Sequence, residues 1–422
     1  MTGADSEPDV PAAGHLTRPD PELFDLGSVD CADVYKAGRP AARLRRTSDG
    51  VEFAYLPDYV ASGGPPVATT LGFERSGSIS PAGAVPAFFA GLLPEGRRLS
   101  SLRRAVKTSA DDELSLLLAV GRDPVGDVQV VPAGVVPTPA EPLVSVQRSF
   151  AEVSFSELLA EAGMVDPVAI PGVQEKVSAG VIAVPVAQAG DRWILKLDPP
   201  EYPHVVRNEA YFLALARRLK IPVADARLVD DRDGRPGLLV RRFDRVAADG
   251  QATALACEDA CQTLGLWPAD KYNVTSERLV ARVAEVCPAS AVARRDVFRQ
   301  LVFAWVTGNG DVHAKNISVL HVPAREWRVS PAYDLPCTVF YGDRSLALSV
   351  AGKKTGLSRR RVLEFARNIG LPEKTALRVL DHILAGTAGL CDDLAGGALP
   401  FTGRTLADTV AELRYRRRQL TA

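Results

Sequence analysis

The sequence predicts an α+β protein with two lobes, a small mixed lobe and a mostly helical C-terminal lobe, preceded by an N-terminal accessory subdomain. Its 422 residues exceed what one ordinary hydrophobic core accommodates, so several packed units are expected. Short strand patterns alternate with helical patterns up to residue 255, whereas most segments from Ala256 onward have helical character. A proline-rich stretch without periodicity, VPAGVVPTPAEPLVS at 131–145, predicts a linker after the first unit.

These signals divide the chain into four regions. Residues 1–27 are rich in Pro, Asp and Ala and are predicted to form a disordered tail. We assign residues 28–135 to the accessory subdomain, 136–255 to the small lobe and 256–422 to the helical C-terminal lobe.

Composition argues against several classes of protein. The formal net charge is −1, so no global attraction to nucleic acid or to a membrane is expected. The first residues lack the basic and apolar segments of a signal peptide, and no apolar run reaches the roughly 18 residues of a membrane span. Six scattered cysteines without a CxxC pair suit a reducing compartment. We therefore expect a cytoplasmic protein without membrane contact.

The accessory subdomain is predicted to combine strands with two helical segments. The turn sequence Ser48–Gly50 separates two alternating runs and predicts a β-hairpin. Residues 85–106 and 110–121 have helical patterns, and the segment GLLPEG at 91–96 should break the first of them.

The small lobe is predicted to contain a glycine turn, two strands, a helix and a hairpin. A Pro171-Gly172 turn precedes an apolar, β-branched run, which predicts the first strand. The remaining segments are, in order, the strand DRWILKLDPP at 191–200, the amphipathic helix NEAYFLALARRLKI at 208–221 and the hairpin ARLVDDRDGRPGLLVRRFDR at 226–245.

The helical lobe contains a polar loop, GNGDVHAKN at 308–316, between an apolar helix and the strand ISVLHV. That strand and EWRVSPAYD at 326–334 predict a hairpin. Cys257 and Cys261 are expected on one helix as small buried residues, because no zinc-type partner pair follows them.

The polar loop has the residue types that phosphoryl transfer from ATP requires. Asp311 and Asn316 form the pattern D-x-x-x-x-N, the separation between the catalytic base and the metal-binding Asn in protein kinases. Asp334 follows one hairpin later, where a second magnesium ligand is expected, and Mg²⁺ prefers carboxylate and amide oxygens. The pattern D-x-x-x-x-N alone is weak, because chance matches are common.

An upstream lysine makes the pattern more specific. Lys196 is the single lysine of an apolar strand, and a lysine there can place a point charge on ATP phosphates. The alternative is a lysine on the solvent face of an edge strand. Glu209, near the start of the next helix, could pair with Lys196, although the helix dipole explains an N-terminal carboxylate equally well. Together these features predict a bilobal, protein-kinase-like fold that uses ATP and Mg²⁺.

In the order and spacing of its motifs, the chain resembles the HipA family, the serine/threonine kinase toxins of bacterial toxin–antitoxin systems. The resemblance covers roughly residues 30 to 395, including the accessory subdomain, and its motifs are specific in combination. The segments that carry it are GVQEKVS, WILKLDPP, NEAYFLALARRL, LLVRRFDR, EDACQTLGLWPADKY, VFAWVTGNGDVHAKNISVL and VSPAYDLPC.

The resemblance implies a role for each matching position. Asp311 would be the catalytic base, Asn316 and Asp334 would hold magnesium, and Lys196 would contact the phosphates. Other residues implied to bind the nucleotide are the phosphate loop Gly172, Val173, Gln174, Glu175 and Lys176, the hinge residues Arg241 and Phe243, and His313 and Lys315 within the catalytic loop. His313 is equally well explained as a structural, hydrogen-bonding histidine.

The resemblance also implies partners. These are a protein substrate, for example an aminoacyl-tRNA synthetase, and a DNA-binding antitoxin of the HipB type, so that any DNA contact would be indirect or weak. One position departs from the family pattern. Ala169 stands where well-studied members carry a regulatory serine, and alanine has no hydroxyl to phosphorylate. We therefore expect no self-inactivation through that position.

Three alternatives remain open. Kinases of lipids or small molecules use a similar loop, although a simple small-molecule kinase would not need the accessory subdomain. Residues 357–383 have a helix–turn–helix pattern with three adjacent arginines and could instead form a DNA-binding module, although a packed helical pair explains them as well. A catalytically inactive relative is disfavoured by the intact set of polar residues.

Overall fold

The computed structural model describes residues 26–138, 144–145, 149–161, 181–188, 191–248, 251–322 and 326–421. The predicted N-terminal tail lies almost wholly outside these residues. Ala169 and the predicted phosphate loop Gly172–Lys176 also lie outside them. The described chain has the predicted α+β architecture, with an accessory subdomain, a small lobe built on one sheet and a large helical lobe.

The accessory subdomain is a twisted antiparallel sheet covered by short helices. Its described elements are β1 (Cys31–Lys36), β2 (Arg39–Thr47), β3 (Gly50–Tyr55), α1 (Pro57–Ala61), β4 (Ser78–Pro81), α2 (Ala87–Ala90), α3 (Gly96–Val106), α4 (Glu113–Val120) and β5 (Val128–Pro132). The strand order is β4-β3-β2-β1-β5. Phe53 and Phe89 lie at the centre of its core, because alternate residues of β3 face the helices. The predicted hairpin turn and the break between α2 and α3 are both confirmed.

The small lobe is a second sheet, with the strand order β6-β7-β8-β10-β9. Its described elements are β6 (Val144–Ser145), α5 (Phe155–Glu161), β7 (Ile182–Gln188), β8 (Asp191–Leu197), α6 (Val205–Arg218), β9 (Ala226–Asp230) and β10 (Pro236–Arg241). The linker prediction was wrong at both ends: Val131 and Pro132 belong to β5, and Val144 and Ser145 pair in parallel with β7 and extend the small-lobe sheet by a short strand. A two-residue strand has too little pattern to be predicted from its own sequence.

A two-stranded hairpin of β11 (Arg245–Ala248) and β12 (Gln251–Ala254) follows the small-lobe sheet. The large lobe then contains a three-stranded sheet and a cluster of helices. Its described elements are β13 (Cys257–Asp259), α7 (Ala260–Thr263), α8 (Ser276–Val286), α9 (Ser290–Thr307), β14 (Ser318–His321), β15 (Trp327–Val329), α10 (Arg359–Asn368), α11 (Glu373–Gly386), α12 (Leu390–Ala395) and α13 (Gly403–Thr421). Phe298 and Trp305 of α9 are buried among the other helices. Among the described residues, no helix is both long and apolar enough to cross a membrane.

The expectation that Cys257 and Cys261 share one helix was wrong. Cys257 lies on β13, which pairs with β14, and only Cys261 lies on the helix α7. Asp259 ends the strand and caps α7, because its side chain accepts a hydrogen bond from the backbone N–H of Gln262. Both cysteines are buried, as expected for small apolar residues.

A buried ion cluster joins the accessory subdomain to the segment that connects the two lobes. Asp244 accepts hydrogen bonds from Arg242 at 2.8 Å, from Arg245 at 2.8 Å and from the backbone N–H of Gly126 at 2.9 Å. Both arginines also bind Asp123 of the accessory subdomain, at 2.9 and 2.6 Å. Burial raises the pKa of Asp244, but the two guanidinium groups and the Gly126 N–H outweigh it, so that its pKa lies below the usual value.

We expect Asp244→Asn to lower the free energy of unfolding by about 3 kcal/mol, because it removes the more deeply buried of the two carboxylates that compensate the guanidinium groups of Arg242 and Arg245. The depressed pKa of Asp244 means that its stabilisation is present above the unfolded pKa of about 3.9 and is lost as the pH falls further. Urea unfolding of both proteins at pH 7 and at about pH 2 measures both effects, because the difference between them should shrink at the lower pH.

The matched control is Asp191→Asn, because Asp191 pairs with Arg241 through side chains that are 33% and 40% exposed. That change should cost less than about 1 kcal/mol. Equal losses of unfolding free energy in the two variants at pH 7 would contradict the inference that the buried cluster holds the accessory subdomain to the segment between the lobes.

Candidate active site between the two lobes

The polar loop begins where α9 ends in a left-handed glycine. Gly308 has φ +78°, and a Cβ there would lie 2.9 Å from Cys337, Val339 and Leu413 side-chain atoms. The chain therefore turns sharply against closely packed side chains. Glycine is required here because it adopts the left-handed backbone conformation and because no Cβ would fit.

Asn309 connects the two ends of the site. Its side-chain oxygen accepts a hydrogen bond from the backbone N–H of Asp311 at 2.9 Å, and its amide nitrogen donates to the backbone oxygen of Asp334 at 3.0 Å. Gly310 N–H donates to the Thr338 hydroxyl at 2.8 Å. A buried asparagine thus holds the first half of the loop against the segment that carries Asp334.

Asp311 is 1% exposed, and its carboxylate oxygen Oδ1 accepts a hydrogen bond from the Tyr272 hydroxyl at 3.1 Å. Asn316 closes the loop by donating from its amide nitrogen to the backbone oxygen of Asp311 at 3.3 Å. Since the nitrogen makes this bond, the amide oxygen is the atom that Asn316 can offer to a cation. The D-x-x-x-x-N spacing therefore brings the two residues together, as a short turn over Ala314–Asn316 allows.

Lys196 lies between two carboxylates from different parts of the fold. Its ammonium group contacts both oxygens of Glu209, at 2.9 and 3.0 Å, and also Oδ1 of Asp334. Burial lowers the pKa of Lys196, but the charges of Asp334 and Glu209 outweigh it and raise the pKa above its usual value. Lys196 is therefore a charged, paired lysine and not a residue of a solvent-facing strand edge.

Glu209 and Asp334 differ in their surroundings. The Glu209 side chain is 3% exposed, and burial raises its pKa, an effect that Lys196 opposes. The Asp334 side chain is 25% exposed, and its backbone is left-handed with φ +53°, a conformation that Asp tolerates better than most residues. Asp198 positions Glu209, because its carboxylate accepts N–H bonds from His204 and Val206 at 3.0 and 2.8 Å where α6 begins.

The hinge residues lie at the end of β10. The backbone N–H of Arg241 donates to the Asp225 carbonyl at 2.7 Å, and the Phe243 ring packs against Tyr333 with centroids 5.7 Å apart. Because the Arg241 N–H is engaged, an adenine contact at this residue would have to use its carbonyl or a neighbouring backbone group. Binding of a nucleotide by Arg241 and Phe243 stays a prediction.

His313 and Lys315 make contacts within the protein. His313 Nδ1 accepts the backbone N–H of Lys315 at 3.2 Å, which caps the short turn. The Lys315 ammonium donates to Asp259 at 2.7 Å and to the Gly91 carbonyl of the accessory subdomain at 2.9 Å. Burial lowers the pKa of Lys315, but Asp259 and Glu95 outweigh it and raise the pKa. To touch a nucleotide, Lys315 would have to leave these partners, so that contact also stays a prediction.

Sequence reasoning missed three residues beside Asp311. Tyr272 donates to its carboxylate, and Lys271 binds Glu95 of the accessory subdomain at 2.9 Å. Tyr272 and Lys271 lie in the segment PADKY, and Glu95 lies in GLLPEG, a stretch whose only local signal is a helix break. The ion pair between Lys271 and Glu95 joins residues that are 176 positions apart, so only the folded chain brings them together.

The fold and the site define a bilobal protein of the kinase-like class. A sheet lysine paired with a helix glutamate faces a loop that carries an acid and an asparagine, with a further acid beyond the next hairpin. Family models for the HipA-like C-terminal domain and the HipA N-terminal domain match residues 168–389 and 32–131. The chain belongs to the HipA family.

Individual relatives agree with this assignment. The chain is 31% identical to "Putative kinase Y4dM" of Sinorhizobium fredii, over 83% of this chain and 89% of that protein. It is 26% identical to "Serine/threonine-protein kinase toxin HipA" of Shewanella oneidensis, over 80% and 82% of the two chains. The solved HipA chain from the Shewanella oneidensis complex of HipA, HipB and operator DNA superimposes with a TM-score of 0.73 at 21% identity, covering 92% of this chain and 97% of that one. This likeness shows the shared fold.

Two glycine variants test whether the start of the loop depends on close packing. Gly308→Ala should lower the free energy of unfolding by about 2–4 kcal/mol, because it adds both left-handed strain and overpacking. Gly342 is the control, because its φ is +88° and a Cβ there meets nothing within 4 Å. Gly342→Ala should cost about 1 kcal/mol, the backbone part alone. Equal losses of unfolding free energy in the two variants would show that the side chains around Gly308 move to accommodate the added methyl group.

Proposed function

We propose that this chain is an ATP- and magnesium-dependent serine/threonine protein kinase and the toxin of a toxin–antitoxin system. The observation that carries the proposal is the contact set that joins the functional groups. Asn309 ties the backbones of Asp311 and Asp334 together, and Asp334 contacts Lys196 on the opposite lobe. These bonds connect the proposed acid, the metal-ligand candidate Asp334 and the lysine proposed to bind phosphate.

The donor set suits magnesium. Asp334 offers a carboxylate that is partly exposed, and Asn316 offers an amide oxygen, both of which are ligand types that Mg²⁺ prefers. Magnesium-bound ATP would supply the γ-phosphoryl group and offset its charge. Asp311 would accept the proton of the attacking hydroxyl, and Lys196, held by Glu209, would hold phosphate oxygens. The predicted phosphate loop Gly172–Lys176 would cover them with backbone N–H groups.

Support for a protein substrate comes from two sources. A relative carries the name serine/threonine-protein kinase toxin. In addition, the accessory subdomain contacts the catalytic loop through the Lys315–Gly91 bond and the neighbouring Lys271 through Glu95, so a unit large enough to meet a protein surface lies beside the proposed site. We propose a translation-related target, such as an aminoacyl-tRNA synthetase, on the family resemblance alone.

The proposed partner is a DNA-binding antitoxin of the HipB type. The solved HipA structure that this chain resembles was determined with HipB and operator DNA. In this chain the arginines at the start of α10 are partly paired: Arg359 binds Asp381 at 3.0 Å and Arg361 binds Glu364 at 2.9 Å. These pairs favour a packed helical pair over a DNA-reading module, and any DNA contact would then come through the antitoxin.

Asp311→Asn should lower phosphoryl transfer by about 10²–10⁴-fold, because it removes the general base without changing the size of the side chain. Labelled γ-phosphate from Mg-ATP is followed into bacterial lysate proteins, with EDTA as a metal-free arm. The control is Asp408→Asn, whose side chain is 49% exposed on α13. A discrete labelled band that vanishes with Asp311→Asn and with EDTA supports the proposal.

Two results would contradict this assignment. Labelling that survives Asp311→Asn would remove Asp311 as the base, and ATP turnover without labelled protein would indicate a small-molecule acceptor.

Prior incubation with Mg-ATP should not lower the activity, since Ala169 carries no hydroxyl. A time-dependent loss with phosphate on a nearby Ser or Thr would show another switch.

We expect the chain alone to show no tight DNA binding. Fluorescence anisotropy with a labelled 30-base-pair duplex at about 150 mM salt should give only weak binding, unaffected by the triple change Arg359→Ala, Arg360→Ala and Arg361→Ala. Tight binding that falls steeply with salt and requires these arginines would restore the helix–turn–helix alternative.

A further inference from the structure

We propose that Tyr272 is a positioning residue that orients the Asp311 carboxylate, and that the accessory subdomain holds Tyr272 in place through the Glu95–Lys271 ion pair. The inference rests on the proposed phosphotransferase function and adds residues to it. It makes the accessory subdomain part of the catalytic geometry.

The first step is the contact itself. A general base must present one defined oxygen to the hydroxyl that it deprotonates, within about 2.6–3.2 Å. The Tyr272 hydroxyl binds Oδ1 of the buried Asp311 carboxylate at 3.1 Å. A hydrogen bond to one oxygen restrains the rotation of the carboxylate and thereby favours one orientation of its two oxygens. Burial, and then the charge of Asp311, raise the pKa of Tyr272, so its hydroxyl keeps the proton that it donates.

The second step is that Tyr272 is itself fixed on the loop that it serves. Its ring meets the His313 ring edge-on, with centroids 5.0 Å apart. The carbonyl of the preceding residue, Lys271, accepts the backbone N–H of Ala314 at 3.2 Å. Backbone and ring contacts therefore hold the residue 272 segment against residues 313 and 314, and the hydroxyl has little freedom to leave Asp311.

The third step is the connection to the accessory subdomain. Lys271 binds Glu95 at 2.9 Å, with side chains 11% and 32% exposed. Two further contacts bind the accessory-subdomain segment that contains Glu95 to the large lobe. Gln262 donates to the Phe88 carbonyl at 2.9 Å, and Lys315 donates to the Gly91 carbonyl at 2.9 Å. The approach is close, because a Cβ at Gly91 would lie 2.5 Å from the Gln262 side chain.

Charge gives the Glu95–Lys271 pair a second effect. Lys271 and Glu95 pair at 2.9 Å, one residue before Tyr272. Loss of the lysine alone would leave the Glu95 carboxylate uncompensated next to the Tyr272 segment, whereas reversal of both charges keeps the pair neutral.

The experiment measures steady-state phosphoryl transfer by purified full-length variants. Tyr272→Phe should lower kcat about tenfold with the KM for ATP unchanged, because only the orientation of the base is altered. The matched control is Tyr211→Phe, which removes a hydroxyl that donates to Asp393 of α12 at 3.4 Å in a solvent-exposed contact. Glu95→Lys and Lys271→Glu should each lower kcat, and the two changes together should restore at least half of it.

The outcomes separate this inference from the proposed function. Wild-type protein without any phosphoryl transfer would overturn both. Active wild type with a Tyr272→Phe variant of equal kcat would overturn the inference alone. A lower kcat accompanied by a matching loss of thermal stability or a higher KM for ATP would show a structural role and also overturn it. Failure of the charge swap to restore kcat would remove the accessory subdomain from the catalytic geometry.

Discussion

The architecture depends on the buried contact of Lys196 with Glu209 and Asp334. An ammonium group with low exposure is tolerable only when carboxylates compensate it closely, since an unpaired buried charge costs several kcal/mol. The three residues come from β8, from α6 and from the segment after β15. Their pairing therefore fixes the sheet against its helix and the small lobe against the large one. The Asp198 cap and the Asn309 amide serve this contact, because each positions one of its carboxylates.

The accessory subdomain is bound to both lobes by similar means. Asp123 and Gly126 meet the Asp244 cluster near the hinge, and Arg97 binds Glu201 of the small lobe at 2.6 Å. On the large lobe, Glu258 accepts two hydrogen bonds from Thr69. Such directional contacts, of which the Asp244 and Glu258 bonds involve buried carboxylates, define one relative arrangement, whereas apolar packing alone tolerates sliding.

Much of the architecture could be predicted from local patterns. Alternation gave β8 and the position of Lys196, the helical period gave α6, and the spacing of Asp311 and Asn316 indicated a closed loop. These features depend on neighbours in sequence.

The features that were missed depend on distant partners. Val144 and Ser145 become a strand only because β7 offers an edge, and Cys257 is in a strand because it pairs with Leu320. Lys315 has the charge expected of a phosphate ligand, yet its direction is set by Asp259 and the Gly91 carbonyl, which no local pattern reveals. The two carboxylates that bind Lys196 show the same dependence. Glu209 binds Lys196 through both oxygens and its side chain is 3% exposed, whereas Asp334 binds it through one oxygen and its side chain is 25% exposed. In the proposed kinase, Asp334 would therefore turn toward a metal ion while Lys196 stays bound to Glu209.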